Sequence, residues 1–89
     1  MIVGKKTVRG FSILIGEVIS DYPVGGDSSL TTIKIMNGGG ATIKLLTDDT
    51  LKSIDSGESF TLILKGDDEV ERFVELMEWV INLFKKAKK

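Results

Sequence analysis

The side chains best able to do chemistry in this chain are acids, lysines and serines, because histidine and cysteine are both absent. That removes the thiol nucleophile, the disulfide, the commonest zinc ligands and the usual general base near neutral pH. Two acidic groups, Asp48-Asp49 and Asp67-Asp68-Glu69, have the charge to bind Mg²⁺ or Ca²⁺, but the ligand spacing of a calcium loop is missing. Both stand where a helical segment would begin, a duty that accounts for them without a metal. Ser28, Ser29 and Ser53 have no histidine to activate them, and nothing marks a lysine as a substitute base. Gly25-Gly26 and Gly38-Gly39-Gly40 are not followed by a helix opening on Gly-Lys-Ser/Thr, so they read as turns and not as phosphate loops. No catalytic residue, metal ligand or cofactor is assigned, and the chain is not expected to be an enzyme.

Lysines offer a second kind of chemistry. Lys34, Lys44 and Lys65 fall on strand-like segments, and gathered on one outer face they would attract a phosphate backbone or a lipid head group. Facing lysines repel unless an anion or an acid lies between them, so a solvated face is the plainer explanation. The strands provide no outward aromatic to stack on bases, and the formal net charge is -1, which ranks nucleic acid and anionic lipid below a protein partner.

Positioning these residues requires a fold that 89 residues can build, which means a single domain, 1–89, with a thin core. At 42% hydrophobic and 28% charged the chain is too apolar for disorder, yet no run reaches the ~18 residues of a membrane span. No basic start leads into an apolar segment with a small-residue cleavage site, so the expected compartment is the cytoplasm. Gln is absent and Asn occurs only at Asn37 and Asn82, a bias that suits a heat-adapted proteome.

The body, 1–66, reads as about five strands. A weak strand at Ile2 to Val8 precedes a β-branched one from Phe11 to Ser20, and Asp21 to Ser29 (DYPVGGDSS) forms the longest loop. Leu30 to Met36 and Thr42 to Thr47 flank Asn37-Gly38-Gly39-Gly40 as a hairpin, in a register that sets Ile35 against Ile43, Ile33 against Leu45 and Lys34 against Lys44. Asp48 to Gly57 reads as a short helical turn, with Leu51 and Ile54 three apart. Ser59 to Lys65 is the last strand, with Phe60, Leu62 and Leu64 on one face.

From Asp67 to Lys88 the signal is helical. Asp68 and Glu71 have the spacing of a capping-box variant, acids crowd the start, and Lys85, Lys86, Lys88 and Lys89 crowd the end, which opposes the helix dipole. Val70, Phe73, Val74, Met77, Val80, Ile81 and Phe84 make one stripe for the core. Leu76, Leu83 and Ala87, with Trp79 furthest out, widen the apolar arc to roughly 200° against the ~100° one packing surface needs. Either a curved sheet or the Asp21 to Ser29 loop wraps that side, or another molecule does. Leu76, Trp79, Val80 and Leu83 are therefore the candidate partner interface, a homodimer ranking ahead of a hetero-protein partner and of a membrane surface, which the helix's glutamates oppose.

The expected class is α+β: a bent antiparallel sheet or small open β-barrel closed by the long amphipathic helix. In the order of its elements alone this is similar to pleckstrin-homology-like barrels and to oligonucleotide-binding barrels, with too few strands for the first and no shared residue motif.

Overall fold

In the computed structural model, which describes residues 1–88, the chain runs β1 (Ile2–Arg9), β2 (Ile13–Ser20), a 3-10 turn (Gly26–Ser28), β3 (Leu30–Gly39), β4 (Ile43–Thr47), β5 (Thr50–Ile54), β6 (Ser59–Lys65) and α1 (Asp67–Ala87). Lys89, the end of the expected basic tail, lies outside the described residues. The α+β class is as the sequence predicts. The strands form two antiparallel sheets, a four-stranded one ordered β1-β2-β3-β6 and the hairpin β4-β5, and these do not close into a barrel.

Alternation along the strands divides the large sheet into two faces. One carries Ile2, Ser20, Thr31 and Leu64 in a row across the four strands, then Val18, Ile33 and Leu62, then Ile35 and Phe60. The other carries Val3, Ile19, Thr32 and Ile63, then a charged row in which Glu17 lies 3.6 Å from Lys5 and 3.8 Å from Lys34. The first row of the apolar face is fastened by a buried hydroxyl pair, Ser20 and Thr31 at 2.6 Å, and the Ser20 hydroxyl also accepts from the Tyr22 amide.

Two sequence expectations fail here. The segment Asp48 to Gly57 is not a helical turn: Asp48 and Asp49 make a two-residue connection, and Thr50–Ile54 is a strand paired with β4. Asp48 takes a φ of +35°, which aspartate tolerates better than most side chains. The spacing of Leu51 and Ile54 is therefore incidental. Nor does the glycine run join a hairpin between β3 and β4, because β3 pairs with β2 and β6 instead, so Ile35 faces Phe60 and Lys34 faces Glu17 and Thr61.

The glycines redirect the chain. At Gly38 the β2–β3 register slips, and a Cβ there would meet Ile13 Cγ2 at 2.7 Å. At Gly40 φ is +74° and a Cβ would come within 2.9 Å of the Phe11 carbonyl oxygen, so the bend that sends β4 off the sheet requires glycine.

Asn37 holds the two sheets together. Its side-chain amide donates to the carbonyls of Ala41 (2.7 Å) and Ile54 (2.9 Å), its side-chain oxygen accepts from the Gly39 amide, and its backbone bonds to Glu58 and Gly57. Ile54, 1% exposed, is the one fully buried apolar side chain among the described residues. Such a core is thin even for the size. A 9.7 kDa chain exposes 6978 Å², whereas a folded monomer of that mass exposes about 5,100 Å². Its radius of gyration is 14.6 Å, against about 12 Å for a globule of this length.

Candidate functional site

α1 follows from its residues as expected, within one residue of the predicted end. Acids Asp67, Asp68 and Glu69 occupy its first turn and Lys85 and Lys86 its last, each favourable to the helix dipole. Its start is not capped by the predicted Asp68–Glu71 box, since the cap residue is Gly66 and no side chain bonds there. The acids instead tie the loop to the helix. Asp67 accepts from the Gly26 amide at 3.0 Å, and Glu71 accepts from the Tyr22 hydroxyl at 3.1 Å. That bond, reinforced by the Glu71 charge, raises the Tyr22 phenol above its ordinary pKa of 10.0. Gly66 adds a backbone bond to the Ser29 carbonyl at 2.8 Å.

The loop therefore grips only the first turns of α1, and α1 packs most closely on the 3-10 turn and on β6. Between its start and the sheet lies a cleft of about 310 Å³ lined by Ile2, Val18, Ser20, Tyr22, Thr31, Ile33, Leu64, Val70, Phe73 and Val74. Nothing among the described residues wraps the far side. Leu76 is 53% exposed, Trp79 59% and Leu83 47%, with Val80 half-buried beside them. Arg72 and Glu75, an ion pair at 3.6 Å, border a shallow groove whose floor is Leu76 and Trp79.

The exposed surface is wider than the sequence predicts. Of the stripe assigned to the core, Val70, Phe73, Met77 and Val80 are half-buried, but Val74, Ile81 and Phe84 are exposed, Phe84 at 72%. For Phe84 the signal that could have found it is length. Twenty-one helical residues span ~31 Å, while the seven residues of β6 span ~23 Å.

The three lysines are not gathered. Lys34 is engaged by Glu17, Lys65 shares its sheet face but sits four residues away in the β3–β6 register, ~13 Å, and Lys44 belongs to the hairpin, opposite Ser53. Asp48 and Asp49 lie in the β4–β5 turn, remote in sequence and element from the acids of α1, and among the described residues no cluster of His, Cys, Asp and Glu is placed to hold a metal. No described helix is long and apolar enough to cross a membrane. Comparison with protein-family models, with curated proteins and with solved structures yields no match to this chain.

Proposed function

We propose that this chain is a non-enzymatic interaction module that forms a homodimer through the second apolar face of α1, centred on Leu76, Trp79, Val80 and Leu83. The observation that carries the reading is the uncovered apolar surface of that helix in a molecule with more surface than a monomer of its mass should have. The excess, ~1,900 Å², matches one partner's share of an obligate homodimer interface, about 1,000–2,500 Å². Homodimer interfaces are more apolar than ordinary surface, and a tryptophan such as Trp79 is the kind of aromatic anchor that supplies most of the affinity at their centres.

The lysine-face alternative has less support, because Lys34, Lys44 and Lys65 do not form one patch and Glu17 already lies against Lys34.

Sedimentation equilibrium at micromolar concentration decides the matter. The expected mass is twice 9.7 kDa, reduced to the single chain by Trp79→Ala with unchanged circular dichroism. A wild-type chain that stays monomeric, or a Trp79→Ala variant that dimerises as well as wild type, removes the proposal.

A further inference from the structure

Resting on that reading, we infer that the two copies of α1 pair antiparallel, so that Phe84 of each chain seats at the mouth of the partner's cleft. Charge along the helix favours that direction. Asp67, Asp68, Glu69, Glu71 and Glu75 outnumber the single base Arg72 in the first half of the helix, and Lys85, Lys86 and Lys88 stand at its end. A parallel pair sets acid beside acid and base beside base, whereas an antiparallel pair sets each lysine end beside the partner's acidic start, and aligns the helix dipoles favourably.

An antiparallel register also centres on the exposed stripe. Placing Leu76 of one helix level with Leu83 of the other puts the two-fold axis between Trp79 and Val80, at the middle of the exposed stripe. The same register brings Lys88 level with Glu71 of the partner subunit, and Phe84 level with Glu75 of the partner subunit. On the wheel, Phe84, Val80 and Phe73 share the shoulder of the helix between the second face and the sheet, and in antiparallel pairs like shoulders adjoin. Phe73 lines the cleft beside Val70 and Val74. Phe84, 72% exposed in its own chain, thus reaches an apolar recess of about 310 Å³ in the other.

Room for the two bodies also favours the antiparallel pair. Each α1 is held to its body at the start, against the 3-10 turn and β6. Antiparallel pairing keeps the two bodies at opposite ends of the helix pair, while parallel pairing brings them to the same end.

Because the chain contains no cysteine, a spin label on one introduced cysteine is unambiguous. In the antiparallel dimer, labels at Asp68→Cys lie roughly 35 Å apart along the axis, and a mixed dimer of Asp68→Cys with Lys85→Cys brings its labels within ~9 Å along it; a parallel dimer reverses the order, near zero and ~25 Å. Pulsed dipolar distances on the full chain are expected to show the first pattern. Phe84→Ala is expected to weaken dimerisation about tenfold, with circular dichroism unchanged. A dimer with the parallel pattern, or one indifferent to Phe84→Ala, overturns this inference and leaves the homodimer standing. Absence of any dimer in the sedimentation experiment removes both.

Discussion

Asn37 and Trp79 mark two regions with opposite ways of meeting the same physical demand. Around Asn37 the chain satisfies itself: each side-chain hydrogen bond ends on a neighbouring backbone group, and Ile54 is shut away from water beside it. Around Trp79 the chain leaves an apolar arc largely in solvent, with no described strand or loop laid over it. The difference separates what the fold needs from what it presents. Polar bonds that close within one chain stabilise a monomer at any dilution, whereas exposed apolar area stabilises only what a second molecule can cover.

The largest effect is expected in the polar region. Asn37→Ala leaves the Ala41 and Ile54 carbonyls and the Gly39 amide without their partner, and should cost about 2–4 kcal/mol, measured as a fall in the urea midpoint at low protein concentration. Trp79→Ala should cost about 2 kcal/mol or more of dimer stability, roughly 30-fold in dissociation constant. Its mark is different in kind. The wild-type midpoint should rise with protein concentration and the variant's should not.

How much of this contrast is legible in the sequence depends on whether the controlling partner is near in the chain. α1 is legible because caps, charges and apolar spacing all lie within its own residues. The faces of β3 and β6 are legible too, since alternation is local. The pairing of β3 with β6 is not, because the glycines at 38–40 suggest a local hairpin and residues 40–58 intervene before the true partner arrives. Likewise Lys34 reads as a free cation until Glu17, two strands' lengths upstream, is set opposite it. Phe84 is misread for another local reason: helical periodicity says which way a side chain faces, and not whether the sheet extends far enough to meet it.

Smaller effects probe the strap at the start of α1. Tyr22 is the sole tyrosine, and its bond to Glu71 holds the phenol protonated to a higher pH than in the unfolded chain. A folded-state pKa raised above the unfolded value contributes stability that is complete below pH 10.0 and is lost as pH rises through the folded pKa. Phenolate absorbance should therefore titrate at higher pH in native than in urea-unfolded protein, and Glu71→Gln should bring the two curves closer. Smallest of all is Ser29→Ala. The Ser29 side chain is wholly buried and its hydroxyl has no hydrogen-bond partner among the described residues, so removing it should change stability by no more than about 0.5 kcal/mol or raise it slightly. A loss above 1 kcal/mol in the same urea assay would reveal a partner for that hydroxyl.

The hairpin inserted between β3 and β6 also bears on the order in which the molecule assembles. β6 can join the sheet only after the chain from 40 to 58 has been folded back, and closing such a loop costs entropy before the new contacts repay it. A β4–β5 ribbon built on the tight Asp48-Asp49 turn forms locally and leaves only short segments on either side to close. β6 should therefore dock after the ribbon, and α1, one glycine further on, after β6. The apolar helix is then the last part to be oriented, which makes assembly of two copies a step that follows completion of each. Refolding followed by far-ultraviolet dichroism and by Trp79 fluorescence should show a concentration-independent phase first and a concentration-dependent one second.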